Sequence, residues 1–188
     1  MDSSNFYTGK GDRGDTARLM GETRVAKSSA LIEALGTMDE ATSAIGLARA
    51  LAQSEAAGQA LLTVQRHLYV FMSHLSAVPE ARSQYPGLSE AEVGWLEDTI
   101  ASIESDLPTL KDFVLPGESH AGAACHLART AVRRAERRVV ALHETESNLA
   151  APNLAYVNRL SSMLFVLALE EDRLSGVSPR LARDAAET

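Results

Sequence analysis

The chain has 188 residues, a formal charge of −7 at pH 7, 45% hydrophobic residues and only 5% aromatic residues. That length and composition suit a single domain, residues 1–188, with a core built mainly from aliphatic side chains. The acidic balance argues against a general nucleic-acid-binding protein, which needs a broad basic surface. The single cysteine, Cys125, excludes an internal disulfide, and no leader pattern or membrane-length apolar run is visible, so we expect a cytoplasmic protein.

Residues 1–27 are predicted to form an irregular N-terminal arm, because they contain four glycines and show little apolar periodicity. Gly9, Gly11 and Gly14 match the spacing G-x-G-x-x-G, but no buried strand precedes them and no βαβ pattern follows. A dinucleotide-binding fold is therefore not predicted. The arm is either a flexible glycine-rich terminus or a loop whose backbone N–H groups, with nearby lysines, bind phosphate.

Apolar residues recur at helical spacing between the prolines of the chain, which predicts an all-α fold, a bundle of five helices. The predicted helices cover residues 27–53, 61–75, 88–107, 119–145 and 152–176. Ser89 followed by Glu92 forms a capping-box pattern at the start of the third helix. We expect the bundle to occupy residues 28–176 and the tail, residues 177–188, to be frayed.

The fourth predicted helix contains the sequence HLARTAVRRAERR, residues 126–138, in which five of thirteen residues are arginine. At about 100° per residue, Arg129, Arg133 and Glu136 share one narrow stripe of this helix. The spacing leaves three interpretations open: a solvated helix face, a nucleic-acid patch, or a pocket for a polyanionic small molecule such as a triphosphate.

The remaining side chains of this helix divide by their angle around the axis. Continued in both directions, the stripe reaches Cys125 and Val140. Arg134 and Arg137 lie between the stripe and the apolar sector, and Arg138 is expected to extend outward from the edge of that sector. The predicted core face consists of Leu127, Ala131, Val132, Ala135, Val139 and Leu142.

Three further side chains are candidates because their type is unusual for their predicted position. Asp39 lies mid-helix beside small residues, where a carboxylate either pairs with a cation or is an ordinary surface acid. Phe113 lies in a loop between two prolines and either plugs the end of the bundle or contacts a ligand. Asn158 precedes an apolar run and needs a polar partner. The five histidines show no metal-ligand spacing, so no protein metal site is predicted.

Several segments occur in the order found in one known family. They are YTGKGDRGDT with RVAK, ALGTMDEATSAIGLA, FVLPG, ARTAVRRAERRVVAL and YVNRLSSMLFVLA. Over about residues 6–170 the chain resembles the ATP:cob(I)alamin adenosyltransferases of the propanediol-utilisation type. The arginine block combined with the glycine-rich arm is more specific than either segment alone. The resemblance implies an enzyme that transfers the 5′-deoxyadenosyl group of ATP to reduced cobalamin and releases triphosphate.

The resemblance also implies which residues would bind the co-substrate ATP. In the arm, the residues at matching positions are Thr8, Gly9, Lys10, Gly11, Asp12, Gly14 and Lys27. Arg133 and Glu136 would hold the triphosphate and the Mg²⁺-bound part of the nucleotide. Asn158 would contact the nucleotide as well.

For the corrinoid side of the site, the resemblance implies a second set of residues. Asp39 and Arg129 resemble the family's ion pair near the corrin, and Phe113 resembles the aromatic side chain that displaces the lower axial ligand of cobalt. The four-coordinate Co(II) that this displacement leaves is easier to reduce. The family further implies a homotrimer with active sites between subunits. A reductase and an adenosylcobalamin-dependent mutase or dehydratase would be its partners, and neither nucleic acid nor a membrane is expected.

The chain departs from the family pattern at a few positions. Ser162 and Met163 stand where an aspartate and an aromatic residue are usual, and Glu118 stands where a second glycine is common. Leu31 lies near the usual place of a basic residue, and the arm after Gly14 is about one residue longer. We expect these changes to affect the corrin pocket and the path of the arm more than the nucleotide site.

Two other interpretations compete with an enzyme. The first is a non-catalytic module that binds and delivers cobalamin or nucleotide on the same bundle. The second is a plain helical scaffold with a solvated arginine face. The arginine stripe, Asn158 and the arm together disfavour the scaffold.

Overall fold

Five α-helices form most of the chain over residues 7–146 and 149–183, the part described by the computed structural model. They are α1 (Ala30–Leu51), α2 (Glu55–Ser76), α3 (Glu90–Glu104), α4 (His120–Glu146) and α5 (Ala151–Leu174). The predicted all-α five-helix bundle is therefore confirmed. A short 3-10 helix, Pro79–Gln84, lies in the connection that the sequence predicted as a loop. None of the described helices combines the length and the apolar character needed to cross a membrane.

Serine side chains set the starting points of three helices. Ser29 and Ser54 each accept the backbone N–H of the third residue after them, at 3.4 and 3.0 Å. Ser89 and Glu92 form the predicted capping box, in which the Ser89 N–H donates to Glu92 Oε2 at 2.8 Å. Because such caps satisfy N–H groups that the first helical turn leaves unpaired, they fix where each helix begins.

Helix α4 lies at the centre of the bundle. It packs along both α1 and α5, while α2 packs on α1 and α3 packs on α5, so neighbouring helices follow the order α2, α1, α4, α5, α3. α1 and α4 run antiparallel, since Glu33 pairs with Arg138 and Glu40, two turns later, pairs with Arg134. The core between the helices is mainly aliphatic, as the low aromatic content predicted.

The N-terminal arm contains a short antiparallel hairpin formed by β1 (Asp15–Ala17) and β2 (Arg24–Ala26). Strands of three residues are too short to show a two-residue alternation, so the sequence analysis missed them. Arg18 joins the arm to the bundle by donating to backbone carbonyls at the C-terminal end of α2, the closest being that of Ala77 at 2.7 Å. The predicted irregular arm is therefore partly regular and is attached to one helix end.

The tail was expected to be frayed, and over residues 177–183 this prediction is wrong. β4 (Arg180–Leu181) pairs with β3 (Val114–Leu115), which lies in the loop before α4. The backbone N–H of Ala182 donates to the Phe113 carbonyl at 2.8 Å. Backbone pairing between segments far apart in sequence cannot be read from local composition. Residues 184–188 lie outside the described part of the chain.

Two adjacent carboxylates near the end of α5 are buried: Glu171 and Asp172 have exposed fractions of 0% and 1%. Glu171 Oε2 accepts the backbone N–H of Gln53 at 2.9 Å, in the turn that leads into α2. Asp172 Oδ1 accepts the hydroxyl of Ser119 at 2.6 Å. Ser119 in turn accepts the N–H of Gly122 at 2.9 Å, so the Asp172 carboxylate is bonded to the capping residue of α4.

The contact between α4 and Asp172 requires a glycine. A Cβ atom at Gly122 would lie 2.2 Å from Asp172 Oδ1, closer than van der Waals contact permits.

Burial raises the pKa of the Glu171 carboxyl, and backbone N–H donors from the turn before α2 only partly oppose this increase. Two helix beginnings, those of α2 and α4, thus depend on one pair of acids.

Substitutions at Glu171 test this arrangement. The pKa of the Glu171 carboxyl is higher in the folded protein than in the unfolded chain. The contribution of this group to the free energy of unfolding is therefore fully present below the unfolded-state pKa. It is lost as pH rises through the folded pKa. The Glu171→Gln variant keeps an acceptor without the charge, so its Tm should gain on that of the original protein between pH 5 and 8. Glu171→Ala leaves a buried N–H unpaired and should cost about 2 to 4 kcal/mol. Thermal melts measure both, and a pH-independent Tm difference for the Gln variant would contradict the burial argument.

Candidate functional site

The predicted stripe on α4 faces α5 and leads to a polar contact between the two helices. Asn158 Nδ2 of α5 donates to Glu136 Oε1 of α4 at 2.8 Å. Glu136 and Arg129 are half-buried, and Arg133 is exposed between them. The structure therefore brings Arg129, Arg133, Glu136 and Asn158 onto one surface, and Asn158 finds the polar partner that its position predicted.

The other arginines of α4 serve different contacts. Arg134 and Arg138 form ion pairs with acids of α1, and Arg137 Nη1 donates to the Arg133 carbonyl at 3.0 Å. These side chains are about half exposed, and such ion pairs typically contribute less than about 1 kcal/mol. The solvated-face interpretation thus applies to Arg134 and Arg138, and the outward path predicted for Arg138 is observed.

The predicted core face of α4 is confirmed for five of its six residues, with Leu127 as the exception. Ala131, Val132, Ala135, Val139 and Leu142 are buried, whereas 55% of Leu127 is exposed. On the helical wheel Leu127 falls between Arg134 and Arg138, at the edge of the apolar sector and beside the charges that pair with α1. Cys125 is the opposite case: we expected it to continue the stripe, but it is buried.

The burial of Cys125 has a chemical consequence. Its loss of solvent raises the pKa of the thiol to about 12, and the nearby carboxylates of Glu171 and Asp172 add to this effect. The thiolate is the reactive form of cysteine, so this residue is a packing residue and not a nucleophile. The accessible part of the stripe therefore begins at Arg129.

Arg129 is held by a neighbour that the sequence analysis did not assign to the site. Its Nε–H donates to Nδ1 of His126 at 3.4 Å, and His126 is only 3% exposed. Burial lowers the pKa of the Arg129 guanidinium, and the charge of Arg133 lowers it further. Both effects disfavour the charged form of Arg129. An anionic group bound beside Arg129 would therefore interact favourably with this charge and stabilise it. The sequence does indicate this contact, because residues three apart on a helix are neighbours. Metal-ligand spacing, the only pattern considered for the histidines, does not reveal it.

A groove runs beside these residues along α4, α5 and the loop before β3. It consists of three adjoining cavities of about 560, 320 and 330 Å³, all of which are lined in part by Phe165. Arg129 lines the first two, and Arg133 lines the second. The lining thus combines arginines with apolar side chains, and the acids Asp112 and Glu104 also contribute to it, a combination that suits a large ligand with a charged end.

Phe113 lies at the mouth of this groove and does not plug the bundle. Its side chain is 79% exposed and lines the same cavity as His126 and Arg129. The loop that presents it is held by the β3–β4 pairing and by an ion pair between Asp112 and Arg183 at 3.5 Å. An exposed aromatic side chain on an anchored loop is a candidate for ligand contact.

The candidate residues of the arm form a local loop of their own. Gly9 and Gly14 have φ angles of +66° and +80°, a conformation that favours glycine. The backbone N–H of Lys27 donates to the Gly14 carbonyl at 2.9 Å. A Cβ atom at Gly11 would lie 3.0 Å from Lys27 Nζ, so this lysine reaches over the loop. Thr8, Lys10 and Asp12 lie in the same turn, so the structure brings the predicted arm residues together.

The structure does not bring the arm and the stripe together within one chain. No hydrogen bond or ion pair links the described arm residues to Arg133, Glu136 or Asn158. Asp39 is exposed on α1, and the ion pairs formed within the described chain do not join it to Arg129. Within the described part of the single chain, hydrogen bonds and ion pairs therefore do not join the parts of the predicted site.

The departures from the family pattern fall in different environments. Ser162 lines the groove beside Arg129, whereas Met163 and Leu31 are buried in the core. Glu118 pairs with Arg180 at 3.1 Å and so helps to hold the tail. Among these four residues, only Ser162 lines one of the groove cavities.

The fold and the groove define a five-helix bundle protein with two arginines, Arg129 and Arg133, along one groove, and comparison with known structures narrows this class. A variant of the PduO-type ATP:corrinoid adenosyltransferase from Lactobacillus reuteri, complexed with cobalamin and ATP, superposes with a TM-score of 0.86 at 30% identity. The match covers 95% of this chain and 97% of that one. Another variant of the same enzyme, complexed with ATP, has a TM-score of 0.85 at 29% identity, over 94% and 99% of the two chains.

Sequence comparison gives the family. Residues 6–171 match the family described as cobalamin adenosyltransferase, and the chain belongs to that family. It is 41% identical over 180 residues to the corrinoid adenosyltransferase of Bacillus subtilis, covering 92% of this chain and 89% of the relative. It is 39% identical to the PduO corrinoid adenosyltransferase of Citrobacter freundii, where 89% of this chain matches only 50% of the relative. The chain thus spans about half the length of that relative.

Proposed function

We propose that this chain transfers the 5′-deoxyadenosyl group of ATP to the cobalt of reduced cobalamin and releases triphosphate. Family membership and the similarity to structures complexed with cobalamin and ATP support this function. The observation that carries it is the surface on α4 and α5 where Arg129, Arg133, Glu136 and Asn158 border an apolar groove. That surface offers cations for a polyphosphate next to space for a large, mainly apolar ring.

The proposed chemistry requires cations at the site and does not require a catalytic triad. The electron pair of Co(I) attacks the 5′ carbon of ATP, a Co–C bond forms, and the C–O bond breaks with its pair leaving on triphosphate. Reduced cobalt is itself the nucleophile, so the protein has no proton to remove. Its task is to align the two substrates and stabilise the negative charge of the departing triphosphate.

In this proposal, Arg133 and Glu136 bind the phosphate end of the nucleotide and Asn158 contacts the nucleotide. Thr8, Gly9, Lys10, Gly11, Asp12, Gly14 and Lys27 form the glycine-rich loop that cradles ATP. Glu136 also fits the Mg²⁺ that accompanies ATP, since nucleotide-bound Mg²⁺ usually keeps several waters and takes only one or two carboxylates. One of its oxygens accepts from Asn158, and the other would be the oxygen offered to a ligand.

We propose that the site is completed between subunits of a homotrimer. Within the described part of one chain, no hydrogen bond or ion pair joins the arm or Asp39 to the stripe, which supports a second copy as their source. The exposed Leu47 and Leu51 of α1 and Leu127 of α4 form an apolar surface that a neighbouring copy would cover. Asp39 of one copy would then pair with Arg129 of the next.

The corrinoid would occupy the groove, with Phe113 below the cobalt in place of its lower axial ligand. The exposure of Phe113 and its position at the mouth of the groove support this role. We further propose that the protein acts in the cytoplasm, where a reductase supplies electrons and an adenosylcobalamin-dependent mutase or dehydratase receives the product. The lone, unpaired thiol of Cys125 agrees with a reducing compartment.

The proposed function is tested by an anaerobic assay with chemically reduced cobalamin and Mg-ATP. Formation of adenosylcobalamin, followed by its absorbance, together with an equal amount of triphosphate, is the expected outcome. A protein that binds both ligands but forms neither product would instead be a binding and delivery module.

Arg133 and Arg134 are neighbours on α4 and provide a matched pair of variants. Arg133 lines the groove, whereas Arg134 pairs with Glu40 of α1. Loss of a charge-assisted contact to triphosphate in Arg133→Ala should weaken ATP binding about 10- to 100-fold. Arg134→Ala should change it less than about twofold. Calorimetric titration with Mg-ATP measures both, and equal affinities for the two variants would remove the triphosphate role of Arg133.

Phe113→Ala separates the reduction of cobalt from the transfer step. ATP binding should be unchanged, because Phe113 lies at the corrinoid end of the groove. Turnover that begins from Co(II) with a mild reductant should fall about tenfold or more, whereas turnover from chemically reduced Co(I) should be largely kept. If the variant is as fast as the original protein from Co(II), Phe113 does not displace the axial ligand.

A further inference from the structure

His126 is a buried residue that no role assigned above uses. It lies on α4 one turn before Arg129, and its ring stands edge-to-face against Phe165 of α5, with centroids 5.8 Å apart and an interplanar angle of 65°. His126, Phe165 and Arg129 all line the largest cavity of the groove. The imidazole thus links an apolar side chain of the groove lining to an arginine of that lining.

The direction of the hydrogen bond between Arg129 and His126 fixes the form of the imidazole. A guanidinium Nε–H can only donate, so Nδ1 of His126 is the acceptor in this bond. The ring is then neutral with its proton on Nε2, an atom that is buried and has no hydrogen-bond partner in the described chain. The surroundings agree with a neutral ring. Burial lowers the pKa of His126 and the charge of Arg129 lowers it further, while Asp172 acts in the opposite direction.

The hydrogen bond to His126 restricts the long side chain of Arg129 at the edge of the site. A free arginine has about 2 kcal/mol of rotamer entropy, part of which is lost whenever it must adopt a single position to bind a ligand. With Nε held by His126, the two terminal nitrogens of Arg129 are directed by the ring that also contacts Phe165. A pre-ordered guanidinium makes binding tighter without adding a new contact to the ligand.

We propose that His126 is a positioning residue that holds Arg129 in the orientation needed for the corrinoid substrate. The inference rests on the proposed function, since it assigns His126 to the corrinoid half of that site. It predicts that loss of the acceptor at Nδ1 impairs the use of cobalamin and leaves ATP binding intact, because within the described chain no hydrogen bond joins His126 to Arg133, Asn158 or the arm.

Two amide substitutions distinguish this role from simple packing. In His126→Asn the side-chain oxygen can take the place of Nδ1, whereas the longer chain of His126→Gln puts its amide near the position of Nε2. Both variants are polar, so their effects on folding should be similar. We expect His126→Gln to raise the KM for cobalamin about tenfold with the Kd for Mg-ATP within about twofold, and His126→Asn to recover most of the loss.

A double-mutant cycle with Arg129→Ala tests whether His126 acts through the arginine. In the Arg129→Ala background, His126→Gln should change the KM for cobalamin less than about twofold, because no guanidinium is left to orient. His67→Leu is a control at another histidine: His67 is half-buried and hydrogen-bonded to Tyr156 at 3.0 Å, but it does not line the groove. It should alter the Tm and not the KM for cobalamin.

Three results would contradict the proposed role of His126. An unchanged KM for cobalamin in His126→Gln overturns the proposal, and so does an equal loss in the Gln and Asn variants. Effects of His126→Gln and Arg129→Ala that simply multiply would show that the histidine acts by another route. Titration of Co(II) cobalamin by absorbance gives the corrinoid Kd without turnover. A failed transfer assay with the original protein would therefore be recognised separately as a failure of the proposed function.

Discussion

The buried acids at the end of α5 are the constraint on which the functional surface depends. Glu171 and Asp172 lie in the interior, where each carboxylate needs donors, and the donors come from the turn before α2 and from Ser119, the residue that caps α4. Because Asp172 fixes the first turn of α4, it also fixes the rotation of that helix against α5. The rotation in turn decides which arginines of α4 face the groove and which face α1.

The arginines of α4 have the same chemistry but different neighbours, and the neighbours decide which of them are paired and which line the groove. Arg134 and Arg138 face the acids of α1 and are partly neutralised there, whereas Arg129 and Arg133 face the groove beside α5. An overall negative chain can therefore present a local positive site for a polyanion. The division also explains why a dense arginine segment occurs in a chain with a net charge of −7.

The corrinoid end of the proposed site depends on contacts far apart in the chain. The loop of Phe113 is held by strand pairing with the tail and by the ion pair of Asp112 with Arg183, and the tail is secured further by Glu118. An exposed phenylalanine needs such support to keep one position. Sequence reasoning selected Phe113 as a candidate but expected the tail to be frayed, because backbone pairing over more than 60 residues leaves no local pattern.

The sequence by itself determined the five helices, the capping box of Ser89 and Glu92, and the stripe of Arg129, Arg133 and Glu136, since helical period and capping are local properties. Only the tertiary structure decided the exposure of Leu127 and the burial of Cys125 and His126. Each depends on which neighbouring helix covers that side of α4. It also decided that the arm is joined by hydrogen bonds to the end of α2, with none to the stripe among the described residues. Periodicity orders side chains around a helix axis, but packing against distant elements decides which of them meet solvent or a ligand.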